Sequence, residues 1–204
     1  MVRIKLQRET HKRGSNETNK FLFPIGKINQ LTIYPMSFDE FIENCNHMLY
    51  DTLKNAYENK QPLSTEIHEL ALDYVYKYLL IGGMPEAVAA FIESHNLQES
   101  REILTALYDN YLSDMELYQA SRESILRSRA LFQNIYNELN KESKNFSPGI
   151  IEKNSKTRDF ISPLQWLTMT NIVNQSFQLK EHITTPLMVN NSNNFRLFLG
   201  DIGM

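Results

Sequence analysis

The sequence predicts a mainly α-helical fold: a helical bundle over residues 36–120, then a winged helix-turn-helix module with a β-hairpin over 121–204. Three observations carry this. Glycine and proline are scarce, 7 each in 204 residues, too few for the many turns of a β-sandwich. Residues 63–80 repeat apolar side chains at helical spacing. The C-terminal third reads as helix, short helix, turn, longer helix and two alternating strands, the order of a winged helix.

Residues 1–20 are polar and basic, and Thr10 to Lys20, with Gly14, Ser15, Asn16 and Asn19, reads as an exposed loop. Ile28 and Leu31 to Tyr34 form a short strand candidate. Ser37 with Glu40 three residues later is a capping box, opening a helix from Phe38 to about Asn59. In the next helix Ile67, Leu70, Ala71, Tyr74, Val75, Tyr78 and Leu79 form one apolar stripe, ending at Gly82-Gly83. Leu70 and Tyr74 are expected to be buried there, with Glu69 off the stripe. Pro85 suits the first turn of a helix to about Ser94. Further helices are expected at about Gln98–Tyr118 and Ser124–Lys141.

Beyond residue 141, Ser147-Pro148 can cap a short helix over Gly149–Lys153, and Asn154-Ser155 is a turn. A helix follows over Thr157–Thr170, in which Pro163 either makes a kink or marks the true start after Ser162. Trp166 and Leu167 fall on its inner face. Asn171 can take a left-handed C-terminal position. Val173, Gln175, Phe177 and Leu179 alternate as a strand. Phe195 to Leu199 is its partner, across a polar loop holding Asn190, Asn191, Asn193 and Asn194.

Charge is unevenly spread. Residues 1–34 carry 7 basic and 2 acidic side chains, residues 35–120 carry 4 and 15, and residues 121–204 carry 10 and 7. An acidic middle between basic ends suggests at least two modules. The one cysteine, Cys45, excludes an intrachain disulfide framework and a cysteine-based zinc cluster. No apolar run nears the roughly 18–20 residues of a membrane span, and no h-region follows the first residues. The expected location is a reducing cytoplasm, with no membrane partner.

Catalytic signatures are absent from these residues. There is no G-x-x-x-x-G-K-[ST], no G-x-G-x-x-G, no H-E-x-x-H and no G-x-S-x-G. His11, His47, His68, His95 and His182 stand singly, so no metal site and no catalytic residue is assigned. Two features remain. Gly82-Gly83-Met84-Pro85 is either punctuation between two helices or an exposed backbone step against which a flat ligand such as a purine packs. Lys153, Lys156 and Arg158 lie at the turn and start of the longer helix, where a winged helix meets nucleic-acid phosphates. The competing reading is a protein-packing winged helix, since three cations are few.

Six blocks stand in order along the chain: Phe23-Pro24-Ile25-Gly26-Lys27-Ile28, Leu31 to Tyr34, Pro35-Met36-Ser37-Phe38-Asp39-Glu40-Phe41, Tyr78 to Val88, Trp166-Leu167 and Asp201-Ile202-Gly203. Together they resemble the prokaryotic AAA-type ATPases, ATP-binding proteins that carry a nuclease-like domain of unknown function behind the ATPase. The resemblance implies that residues 1–35 are the last strand and loop of the ATPase core. It makes residues 36–120 the helical lid and 121–204 a winged-helix module cut short at its C-terminal end.

In that family a Walker A, a Walker B and a sensor strand precede the F-P-x-G-K block, and a PD-(D/E)XK-like domain follows D-x-G. These residues correspond to the middle of such a protein. The expected function is therefore that of an inactive lid and winged-helix fragment. It would hold no cofactor of its own; ATP and Mg²⁺ would belong to complete relatives. Gly82, Gly83, Met84 and Pro85 would line the adenine side of the nucleotide pocket. The implied partners are the missing ATPase core or nuclease-like domain. The alternative is a non-enzymatic winged-helix module that binds a protein, or nucleic acid weakly.

Overall fold

A computed structural model describes residues 33–119, 121–179 and 194–204. The expectations for residues 1–32 and for the polar loop at 190–193 lie outside the described residues. Within them the chain is mainly helical, with eight α-helices and one two-stranded antiparallel sheet. The helices are α1 (Phe38–Cys45), α2 (His47–Glu58), α3 (Thr65–Ile81), α4 (Pro85–Ser94), α5 (Leu97–Tyr118), α6 (Arg122–Leu139), α7 (Pro148–Ile151) and α8 (Ile161–Met169). The strands are β1 (Val173–Phe177) and β2 (Phe195–Leu199).

Local sequence explains most boundaries. At α1 the Ser37 hydroxyl accepts from the Glu40 N–H and the Glu40 carboxylate accepts from the Ser37 N–H, completing the expected capping box. The single helix expected over Phe38–Asn59 is two. Asn46 closes α1 by donating its N–H to the Ile42 carbonyl and opens α2 by accepting from the Leu49 N–H. One asparagine is both terminator and N-cap, a residue type suited to that position. Ile33 and Tyr34 belong to no strand. The backbone there is tied through Met36, whose N–H donates to the Gly83 carbonyl at 2.7 Å.

The longer C-terminal helix is also resolved into parts. Thr157–Phe160 is a 3-10 turn, and α8 begins at Ile161, so Pro163 sits in the first helical turn. Its missing N–H costs nothing there, and no kink is needed. Asn171 adopts φ 57°, the left-handed conformation expected of it. The hairpin pairs Val173 with Leu199, Gln175 with Leu197 and Phe177 with Phe195. Val173, Phe195 and Leu197 point inward, whereas Asn174, Ser176 and Arg196 point to solvent.

Two apolar clusters result. The first joins Phe41 of α1, Ile81 of α3, Met84, Ala87, Val88 and Phe91 at and in α4, and Leu104 of α5. The second gathers Leu112 and Met115 of α5, Leu131, Phe132 and Ile135 of α6, Phe160, Leu164 and Leu167, and Val173, Phe195 and Leu197 of the hairpin. Helix α5 therefore contributes to both. Phe146 bridges the helical and sheet sides of the second cluster, with ring centroids 5.7 Å from Phe160 and 5.2 Å from Phe195.

The phase of α3 differs from the expected one. Leu70 is 40% exposed and Leu79 43% exposed, while Ile81 is fully buried and Tyr74 and Tyr78 are half-buried. Tyr74 and Tyr78 pack against the first cluster, so the inner stripe passes through 74, 78 and 81, just beside Leu70. Leu70→Asp should then cost no more than about 1 kcal/mol. Ile81→Asp buries an unpaired charge and should cost several times as much. Thermal melts of the two variants check this, and equal shifts would mean that the inner face has been assigned wrongly.

Candidate functional site: a double-glycine corner closed by Asp201

The corner between α3 and α4 is built by glycines that no other residue could replace. Gly82 ends α3 with φ 74° and ψ −164°, a region open essentially to glycine alone. Its N–H still reaches the Tyr78 carbonyl at 2.7 Å. The next peptide faces the other end of the chain. The Gly83 N–H donates to Asp201 Oδ2 at 2.7 Å, and the Gly203 N–H donates to Asp201 Oδ1 at 2.9 Å. A side chain on Gly82 would overlap the Asp201 carboxylate, and one on Gly83 would overlap the Met36 backbone. One on Gly203 would lie 2.6 Å from the Ile81 carbonyl oxygen.

Further hydrogen bonds complete the closure. The Tyr78 hydroxyl donates to the Met36 carbonyl at 2.8 Å, and Arg101 Nη1 donates to the Gly203 carbonyl at 2.7 Å. Gly82 and Gly83 are buried, Met84 is 4% exposed and packs into the first cluster, and Pro85 is exposed. The faces of the two glycines, offered above as a platform for a flat ligand, are thus covered by Met36 and by Asp201 to Gly203 of the same chain. The two sequence blocks, G-G-M-P and D-x-G, are the two halves of one contact.

Burial pushes the Asp201 carboxyl above its ordinary value, against the opposing effect of the Gly83 and Gly203 N–H groups. Burial likewise raises Tyr78, helped by the Asp201 and Glu40 carboxylates. A carboxyl with a raised folded-state pKa binds its proton more tightly when folded. Its contribution to stability is full below the unfolded-state pKa and is lost as pH rises through the folded-state value. The stability of the wild type relative to Asp201→Asn should therefore fall as pH rises from the ordinary carboxylate range upward. Urea titrations across pH 3–8 read this, and a relative stability that climbs with pH would reverse the sign.

The basic trio does not join this site. Lys153, Lys156 and Arg158 are all exposed near the 3-10 turn. Acidic groups stand among them. Arg158 lies 3.8 Å from Asp159, and Glu152 is paired at 2.9 Å with Arg127, which also holds Glu123 at 2.8 Å. The exposed face of α8 presents Ile161, Ser162, Gln165 and Met169, with no cation. Leu167 is fully buried and Trp166 half-buried, packed against the second cluster.

Asp201, Tyr78 and Arg101 were not assigned a role from the sequence. Nothing local marks them, because their partners lie far away in the chain. Among the described residues no group of three or more His, Cys, Asp or Glu side chains could hold a metal ion, and no helix is long and apolar enough to cross a membrane.

Both halves of the corner fall inside the region that defines the family. Residues 72–204 match a domain of unknown function, DUF8612, and the chain belongs to that family. No curated protein and no solved structure matches the chain.

Proposed function

We propose that this chain is the lid and winged-helix portion of an ATP-binding AAA-type protein, and that it works as a non-catalytic coupling module. The helical lid is the part around the first cluster, and the winged helix is the part built from α6, α7, α8 and the hairpin. The observation that carries the reading is Asp201, which follows the wing strand β2 and accepts a hydrogen bond from the Gly83 N–H at the heart of the lid. A displacement of one part is then felt by the other through a buried carboxylate and through α5, which enters both cores. The G-G-M-P step serves this contact first. Any approach to adenine would need Asp201 to Gly203 to move aside.

The test uses two probes in the full chain. Trp166 fluorescence follows the second cluster, and hydrogen exchange of α1 and α4 amides follows the first. Their urea transitions should coincide in the wild type and separate in Asp201→Ala. Transitions already separate in the wild type would sink the coupling role. Mg-ADP binding at micromolar concentration by the full chain would show that it is a nucleotide site in its own right.

The neutral outer face of α8 favours a protein partner for the winged helix over nucleic acid. Duplex DNA should bind weakly and without sequence preference. If Lys153, Lys156 and Arg158 supply the only phosphate contacts, the salt slope should be roughly −2.7. Fluorescence anisotropy at low and high salt, with Lys153→Glu/Arg158→Glu as the control, measures it. Tight and sequence-selective binding would restore the nucleic-acid reading.

A further inference from the structure

Strand β1 has an outer edge whose backbone is unpaired among the described residues. The Gly200 N–H donates to the Ile172 carbonyl at 2.8 Å, and these two residues stand opposite each other in the register that pairs Val173 with Leu199. Hydrogen-bonded and non-hydrogen-bonded pairs alternate along an antiparallel ladder. Asn174 and Ser176 therefore also direct their N–H and carbonyl groups to β2, whereas Val173, Gln175 and Phe177 direct theirs the other way. The same alternation points the Phe195 carbonyl away from β1, where it accepts from the Phe146 N–H at 2.8 Å. The far side of β2 is thus occupied at that point, but no described backbone group bonds to Gln175 or Phe177 on the far side of β1. Gln175 is half-buried and Phe177 is 37% exposed, so this edge reaches solvent.

An open edge is a template for another strand, and proteins commonly blunt it with lysine, proline, a bulge or an inward-pointing charge. Strand β1 has none of these. Its sequence, Val-Asn-Gln-Ser-Phe, is uncharged and proline-free, and its register with β2 runs unbroken. Charge then selects the occupant. Residues 35–120 carry 15 acidic side chains against 4 basic ones, so that part of the surface repels its own copy. Strand β1 can meet itself without setting like charges opposite each other.

The edge also matches itself geometrically. In a two-fold antiparallel pair centred on Ser176, Gln175 of each copy faces Phe177 of the other, and each such pair exchanges both N–H···O bonds. The two Ser176 residues meet at the non-hydrogen-bonded position, with Cα atoms about 4.5 Å apart, where facing hydroxyls can bond. So few residues a side fall far below the roughly 20–30 of a standard interface, which makes the association weak, with a Kd on the order of 100 µM.

We propose that two copies of this chain pair antiparallel along β1, about a two-fold axis at Ser176, and join their hairpins into one four-stranded sheet. The inference needs no part of the coupling role described above. Sedimentation velocity of the full chain from about 10 µM to about 1 mM spans the expected Kd and should show a reversible monomer–dimer equilibrium. Ser176 is exposed, so Ser176→Glu and Ser176→Lys leave the fold alone. Each sets two like charges opposite and should weaken association about fivefold, and an equimolar mixture of the two should restore it. Residue-resolved hydrogen exchange gives an independent readout. The Gln175 and Phe177 amides should gain protection as concentration rises, while those of Asn174 and Ser176, bonded within the hairpin, should be protected throughout. A chain that stays monomeric at 1 mM, or a charge mixture that fails to restore association, overturns the proposal. So does protection of Gln175 and Phe177 already at the lowest concentration, because another segment of the same chain would then hold the edge.

Discussion

Gly82→Ala is expected to destabilise the protein by about 4 kcal/mol, lowering the melting temperature by roughly 8–16 °C. Two costs combine. The backbone conformation at Gly82 (φ 74°, ψ −164°) is worth about 1–3 kcal/mol of strain to any residue with a Cβ. The new methyl also overlaps the Asp201 carboxylate, and overpacking costs a further 1–3 kcal/mol or so. The carboxylate cannot retreat without giving up the Gly83 and Gly203 N–H groups, which would then be buried without partners. Gly149→Ala is the matching control, because a Cβ there meets open space. Circular-dichroism melts of the two variants settle the matter. A shift for Gly82→Ala no larger than that for Gly149→Ala would show that the corner is not closed as described.

Phe132→Ala should cost about 3–5 kcal/mol through the cavity it leaves. Phe132 is 2% exposed and joins α6 to α5, its ring stacked 4.9 Å from Tyr108 and edge-on 6.3 Å from Tyr111. The three rings form the seam between α5, the helix shared by both clusters, and α6 of the second cluster. Phe198→Ala removes the same side chain type from the outer face of β2, where it is 39% exposed, and should cost less than about 1 kcal/mol. Urea denaturation distinguishes the two. If both lose the same stability, the seam carries no special weight.

Elements whose cause is local were legible in the sequence. Ser37 and Glu40 satisfy each other across three residues, Pro85 stands at the start of α4, and Asn171 turns the chain after α8. The hairpin alternation was legible too, because side chains in a strand change face at every residue. The break at Asn46 was missed because apolar spacing runs on through it, although asparagine is a strong N-cap. The phase of α3 was misjudged because the helix is apolar on two faces. Leu70 and Leu79 read as part of the inner stripe, when among the described residues only one face meets a neighbour. At the candidate site the glycines and the D-x-G block were visible separately. That they touch was not, since a tertiary contact leaves no periodicity. Around Lys153 and Arg158 the neighbouring Glu152 and Asp159 were visible in the sequence, but the pairing of Glu152 with Arg127, and of Arg127 with Glu123, was not, since those two come from another helix.

The Gly83–Asp201 bond spans 118 residues of sequence. Closing a loop of that length costs chain entropy on the order of 4 kcal/mol beyond a fixed constant, well above what one hydrogen bond returns. The bond is therefore made only after other contacts have already brought the two ends together, chiefly through the packing along α5. On a ribosome α3 and α4 emerge long before Asp201 does. Throughout that interval the Gly83 N–H faces water, and the double-glycine joint lacks the carboxylate that later locks it. The joint's geometry is therefore fixed only once the segment Asp201 to Gly203 has packed against it, so the last-made part of this segment locks a corner laid down far earlier in the sequence.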